Sequence, residues 1–356
     1  MSNDLFSPYS LGDLQLPNRL VMAPMTRNRA DQDDAPHELT VTYYTQRASA
    51  GLIITEGSPV ARDAVGYPAT PGIYSDKQIA GWKAVTDAVH AEGGRIFIQL
   101  WHCGRISHPS LLPDNALPVA PSAIRPEGQA FTYTGLQDFV EPRALSVDDI
   151  QRVVQQFRQA AANARAAGFD GVEVHAANGY LIDQFLRDGS NQRDDEYGGS
   201  LENRLRFLNE ILDAVCEEWP ANRVGLRLTP ENSFNDMSDS DPQSHFEYFV
   251  SELKARELAY LHILEGDMTG KAPTVNYRAL RDTFGGTYIA NNGYDKQRAV
   301  TALAQGDCDL VAFGVPFLAN PDLVHRLQQD IPLNPANQDT FYGGGAEGYT
   351  DYPFAD

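Results

Sequence analysis

The chain has 356 residues, 42% of them hydrophobic and 21% charged, enough for one large α/β barrel or two smaller domains. Its formal net charge of −20 argues against non-specific nucleic-acid binding and against docking on an anionic membrane, but not against a phosphorylated cofactor held locally by backbone N–H groups. Cys103, Cys216 and Cys308 lie far apart without CxxC spacing, which gives neither a zinc site nor a disulfide framework and suits a reducing cytoplasm.

The first twenty residues lack a basic segment followed by an apolar run, so no signal peptide is expected. No apolar stretch approaches the roughly 20 residues that a membrane helix requires. From there, short apolar runs alternate with amphipathic stretches. Strands are predicted at 19–25, 51–56, 95–101, 171–175, 224–228, 260–264, 287–290 and 309–313, each near-continuously apolar and bounded by turn residues, as strands covered on both faces should be. Helix-like stretches such as 76–92, 147–167, 201–218, 243–256, 295–305 and 321–329 lie between them. Ser146 with Asp149 three residues on starts one of these in the manner of a capping box, and Gly168 stops it. Eight strands, each followed by a helix, is the count of a (β/α)8 TIM barrel. A doubly wound sheet is the alternative, but Pro24-Met25-Thr26 stands where its Gly-rich turn belongs. Residues 102–145, rich in Pro and Ser, break the repeat after the third strand and are predicted to form a flap over the barrel mouth. Residues 331–356 read as a loop-rich tail. No linker or repeat marks a second domain, so one domain over 1–356 is expected.

Barrel enzymes do their chemistry at the C-terminal ends of the strands. Those ends are Ala23-Pro24-Met25-Thr26, Thr55-Glu56-Gly57, Gln99-Leu100-Trp101-His102, His175-Ala176-Ala177-Asn178-Gly179-Tyr180, Arg227-Leu228-Thr229-Pro230, Asn291-Asn292-Gly293 and Phe313-Gly314-Val315-Pro316. The rim is polar but mostly uncharged, which suits a planar polar cofactor better than direct hydrolysis. Each member also has an ordinary explanation. Gln99 and Thr26 can satisfy loop backbone, His175 can be a partly buried histidine with its bonds made, Asn178 is a common turn former, and Tyr180 can be packing. Arg227 needs an anionic partner if buried, either Glu56 or a bound ligand. Their convergence on several strand ends is what favours function.

The segments NRLVMAPMTR, QRASAGLIITEG, GGRIFIQLWHCGR, AGFDGVEVHAANGYLIDQFLRDGSNQRDDEYGGSLENRLRF, FGVPFLANPDL and FYGGGAEGYTDYP run in order through nearly the whole chain. They resemble the Old Yellow Enzyme family of FMN-dependent ene-reductases, in particular the bacterial N-ethylmaleimide and 2-cyclohexenone reductase type. The resemblance implies non-covalent FMN across the barrel mouth, reduced by NADPH or NADH, which then passes hydride from N5 to the β-carbon of an activated alkene. By the same resemblance, His175 and Asn178 bond the substrate oxygen and Tyr180 gives a proton to the α-carbon. Arg227 faces the N1/C2-carbonyl side of the flavin, Thr26 its C4 carbonyl and Gln99 its pyrimidine edge. Backbone from Ala23 through Pro24 and Met25 to Thr26, with Gly57, closes around the ring. Tyr67, Trp101 and Tyr342 resemble walls of the substrate channel, and 188–206 a structural block. Small-molecule alkenes and a nicotinamide nucleotide are the expected partners, in a cytoplasmic monomer or homodimer without metal.

One position departs from the pattern. After Phe313-Gly314 the family usually places an arginine against the FMN phosphate, and this chain has Val315. The phosphate then relies on backbone N–H groups near Asn292, Gly293, Gly314 and Val315, with Lys296 or Arg298 as compensating cations. Two other readings compete with the reductase. A barrel glycosidase needs two carboxyls about 5–10 Å apart, for which Glu56, Glu173 and Glu265 are the candidates. A flavin-binding or assembly protein without catalysis is the other.

Overall fold

Eight short apolar strands, buried along their whole length, can satisfy their backbone only by closing on one another. In the computed structural model, which describes residues 4–355, they do so as a parallel barrel in chain order. The strands are β1 Leu20–Met22, β2 Leu52–Pro59, β3 Ile96–Trp101, β4 Gly171–Ala176, β5 Val224–Leu228, β6 Tyr260–Leu264, β7 Tyr288–Asn291 and β8 Leu310–Phe313. Val311 opposite Leu20 and Phe313 opposite Met22 join the last strand to the first, so the barrel has no edge. All eight lie where the sequence predicts them. The first is shorter than predicted, because Pro24 has no N–H to continue the ladder; Ala23 N–H makes its last bond, to Phe313 O at 3.0 Å.

The outer helices are α1 Glu38–Thr45, α2 Asp76–Ala91, α3 Val147–Ala166, α4 Leu201–Cys216, α5 Pro242–Leu253, α6 Tyr277–Phe284, α7 Lys296–Gln305 and α8 Leu323–Gln329. The longest, α3, shows why the pattern was readable. Ser146 Oγ accepts from Asp149 N–H and Asp149 Oδ2 from Ser146 N–H, both at 3.2 Å. Its buried stripe runs Ile150, Val153, Val154, Phe157, Ala160, Ala161 and Ala164 at helical spacing. By contrast, α1 and α6 are absent from the predicted helices. The α1 segment, ELTVTYYT, is rich in β-branched and aromatic residues that favour strands. Its start is fixed locally: His37 N–H donates to Thr40 Oγ1 at 3.3 Å, and burial of Tyr43 and Tyr44 orients the helix. In α6 only Leu280 and Phe284 are buried, too few to display a period. The region after β8 also differs from expectation, with a separate five-residue turn of helix, Val315–Ala319, ahead of α8.

Within 102–145, an antiparallel hairpin pairs Gln129–Thr132 with Gly135–Asp138, and its tip is tied down where Ala69 N–H donates to Tyr133 Oη at 3.0 Å. The tail folds back over the strand ends: Arg27 Nη2 donates to Gly348 O (2.7 Å), Arg29 Nη2 to Thr340 O (2.8 Å) and Gly343 N–H to Arg27 O (2.9 Å). No helix among the described residues is long and apolar enough to cross a membrane.

Candidate active site

All eight strands end at one cavity of about 970 Å³. It is lined by Ala23, Pro24, Met25 and Thr26 after β1, Gly57 on β2, Gln99 and Trp101 on β3, and His175 with Asn178 and Tyr180 at the end of β4. Arg227 on β5, Asn292 and Gly293 after β7, and Gly314 and Val315 after β8 complete the ring, with Tyr67 from the β2–α2 loop and Tyr342 from the tail. The sequence-derived site residues are thus brought together in one place. The lining residues not read from the sequence include Phe131, Phe234 and Met268.

At the floor, the second and third strands pack in direct contact. A register shift between Ile54 and Gly57 brings β2 against the Trp101 indole, and a Cβ on Gly57 would stand 2.6 Å from Trp101 Cε3. No side chain larger than hydrogen fits there. Beneath, the fully buried Glu173 carboxylate accepts from Gln99 Nε2 at 2.7 Å and pairs with His262 Nδ1 at 2.8 Å. Glu173, not Glu56, is the anion nearest in effect to Arg227. Burial lowers the Arg227 guanidinium from the usual arginine value and the Glu173 charge pulls it back up. Glu56 is spent elsewhere: it accepts from Arg27 N–H (3.1 Å) and the Tyr44 hydroxyl (3.3 Å), and burial raises its carboxyl to about 7. Arg227 Nη2 donates to Asn291 Oδ1 at 3.0 Å, while its buried Nε has no protein partner.

His175 is buried, and its Nδ1 is likewise without a partner in the protein. Burial first, then the neighbouring Arg227 and His262, hold this imidazole well below the usual histidine range, so it is neutral and can donate through one nitrogen. Asn178 sits at φ 57°, the left-handed region that asparagine tolerates. Three bonds hold it there: its N–H donates to Thr229 Oγ1 (2.8 Å), its carbonyl accepts from Asn235 Nδ2 (2.8 Å), and its Oδ1 accepts from Asn232 Nδ2 (3.2 Å). With Oδ1 taken, the Asn178 amide presents its NH2 group as the free donor. Asn232 and Asn235, both on the β5–α5 loop, carry no local motif that sequence reading could have found. The Tyr180 ring meets Trp101 edge-on with centroids 4.8 Å apart and His175 at 5.1 Å, and its hydroxyl lies 3.1 Å from that of Tyr67. Burial, reinforced by Tyr67, pushes the phenol well above its usual value, so it remains protonated.

Among the described residues lining the cavity, Arg227 is the one cation and Asp295 the one carboxylate. Glu56, Glu173 and Glu265 all lie outside it, so a glycosidase lacks its acid pair. At the Val315 end, the side chain is 47% exposed. Neither expected compensator faces the cavity: Lys296 Nζ is bound to Asp330 at 2.5 Å, and Arg298 donates to Asn292 O at 2.8 Å and pairs with Glu265 at 3.4 Å.

Residues 4–334 match the model of the NADH:flavin oxidoreductase / NADH oxidase family. The chain belongs to this family, the Old Yellow Enzymes. It is 45% identical over 355 residues to a probable flavin mononucleotide-dependent alkene reductase of Leishmania infantum, covering 98% of this chain and 97% of that protein. Two solved structures share the fold closely. Morphinone reductase in complex with tetrahydroNAD superposes with a TM-score of 0.95 at 49% identity, over 99% of this chain and 98% of that one. The Old Yellow Enzyme homologue from Zymomonas mobilis does so with a TM-score of 0.95 at 40% identity, over 98% and 99%. This chain is therefore a flavin oxidoreductase with FMN as its cofactor. The site fits that group, because two buried polar atoms of its wall, Arg227 Nε and His175 Nδ1, have no partner in the protein.

Proposed function

We propose that this Old Yellow Enzyme reduces C=C bonds activated by a carbonyl, imide or nitro group, drawing on NADPH or NADH. The observation that carries this reading is the meeting of two uncharged donors and one phenol, His175, Asn178 and Tyr180, over a floor that holds one buried cation. Arg227, Gln99, Thr26 and the backbone of Ala23, Pro24, Met25 and Gly57 are the groups that hold the isoalloxazine. When bound and reduced, the flavin supplies the hydride for the β-carbon of the alkene. His175 and Asn178 donate to the substrate oxygen, and these bonds strengthen as charge moves onto that oxygen. A neutral imidazole gives a bond without a competing proton transfer. Tyr180 delivers its proton to the α-carbon and regains one afterwards from solvent. Trp101 and Tyr67, stacked at 5.6 Å, wall the substrate together with Tyr342.

The direct test is colour. Purified protein should be yellow, bleach on anaerobic addition of NADPH or NADH, and recolour on addition of 2-cyclohexenone. Protein that takes up FMN but does not recolour with any enone, maleimide or nitroalkene is a flavin binder of another kind. Between about pH 6 and 8 the enone-driven step should be flat, because His175 is neutral and Tyr180 protonated throughout. A stopped-flow profile with an inflexion near pH 6.5 that persists in Glu56→Gln would mean that His175 ionises in the working enzyme.

The phosphate end yields a second expectation. With Val315 in place of arginine, Lys296 and Arg298 engaged elsewhere, and Asp295 on the wall, FMN should bind less tightly than in relatives. Val315→Arg places a cation at a half-exposed position and should gain about 1.5–3 kcal/mol, roughly 10- to 150-fold in the FMN dissociation constant. Titration of the flavin-stripped protein reads this directly; an unchanged constant overturns it.

A further inference from the structure

Large apolar side chains left in water normally occur singly, and a cluster of them marks a binding surface. Phe131 is 43% exposed, Phe234 38%, Met268 51% and Tyr342 64%, and all four line the mouth of the active-site cavity. They come from four separate segments: the hairpin after β3, the β5–α5 loop, the β6–α6 loop and the C-terminal tail. Chance exposure does not bring four independent loops to one rim, least of all on a chain with a net charge of −20.

The rim is also held in place. Asn232 is its hub: Oδ1 accepts from Phe234 N–H (3.3 Å) and Met268 N–H (3.2 Å), while Nδ2 donates to the Asn178 amide oxygen. Ser233 Oγ donates to Asp267 Oδ2 at 2.6 Å, locking the two loops together. Phe131 rides on the hairpin pinned by Tyr133 and Ala69, and Tyr342 on the tail pinned by Arg27 and Arg29. One asparagine therefore connects the donor that would hold the substrate oxygen with two of the four apolar contacts above it.

We propose that the preferred substrate is a large, mostly apolar activated alkene, whose reacting end lies at His175 and Asn178 and whose hydrocarbon part lies along Phe131, Phe234, Met268 and Tyr342. This rests on the reductase reading above and specifies the substrate class. A cavity of about 970 Å³ stands at the top of the range for one ligand, which leaves room for such a tail beside the flavin. Small enones fill only the polar floor and leave the rim wet.

The test is a homologous set of alkyl enones from ethyl to octyl, the tail carried at the carbonyl in one set and at the β-carbon in the other. The whole flavin-loaded enzyme is used, with 2-cyclohexenone as the tail-free reference. Burying a methylene in full corresponds to about a fourfold gain and in part to about twofold, so kcat/KM should climb about two- to fourfold per carbon in at least one set. In Phe234→Ser, Met268→Ser and Phe131→Ser, the ratio of octyl enone to 2-cyclohexenone should fall by about tenfold or more. Because each ratio is internal, a poorly folded variant does not mimic the effect. A flat series in both sets overturns the proposal, as does a wild-type slope that survives all three substitutions; a rim occupied by a second copy of the chain gives the flat result. Failure of the reductase reading is distinct, since 2-cyclohexenone itself would then not be turned over.

Discussion

Tyr180→Phe should slow the oxidation of reduced enzyme by 2-cyclohexenone about 10²- to 10⁴-fold, the range expected when a positioned acid is removed. The phenol is buried, pushed well above its ordinary pKa, and lies 3.1 Å from its one hydroxyl neighbour, Tyr67. It therefore holds its proton until an adjacent carbon becomes basic enough to take it. The substitution removes a hydroxyl and little volume. Tyr67 loses a partner at a cost of about 1 kcal/mol, too little to disturb the fold. Reduction of the flavin by nicotinamide delivers no proton to carbon and should fall far less. Stopped-flow measurement of both half-reactions separates these outcomes. If enone-driven reoxidation is untouched, the donor is solvent or Tyr67, and the pair Tyr67→Phe with Tyr180→Phe tells which.

The sequence showed the barrel because its strands are buried on both faces and therefore apolar throughout. It showed the residues at the strand ends because connectivity alone puts them at one mouth. What it did not show depends on contacts far apart in the chain. Nothing near Asn178 announces that Asn232, 54 residues on, fixes its amide. Nothing near Arg227 announces that Glu173 and not Glu56 balances it, since both carboxylates lie within strands of the same barrel and only the folded structure shows which of them acts on the arginine. Phe131, Phe234 and Met268 sit on loops where an isolated apolar residue carries no period to read. The same limit applied to helix α1, whose composition favours a strand and whose helical state comes from one capping histidine and the burial of two tyrosines. Val315 was visible at once, yet its consequence was not. Only the structure shows Lys296 turned to Asp330 and Arg298 turned to Glu265.

Arg227→Gln should destabilise the flavin-stripped protein by about 1–3 kcal/mol, the cost of leaving a buried polar group less well compensated. Arg227 and Glu173 are both buried, and each shifts the other toward its charged form: Glu173 raises the guanidinium, and Arg227, after burial and His262, lowers the carboxyl. Without Arg227 the carboxylate keeps its bonds to Gln99 and His262 but loses the fixed positive charge that helps to hold it ionised. The decisive comparison is the double variant Arg227→Gln with Glu173→Gln. If the penalty is electrostatic, removing the orphaned charge should recover a large part of it, and the coupling between the two sites should exceed about 0.5 kcal/mol. Chemical denaturation of wild type, both single variants and the double variant gives that coupling. A double variant no more stable than Arg227→Gln alone would show that the arginine acts through its bond to Asn291 and its packing. Arg227→Lys divides the roles further, since it keeps a positive charge but removes the unpartnered Nε–H proposed to face the flavin. Stability near wild type together with weakened FMN binding in that variant would place the two duties of Arg227 on different parts of one guanidinium: its charge for the barrel, its Nε–H for the cofactor.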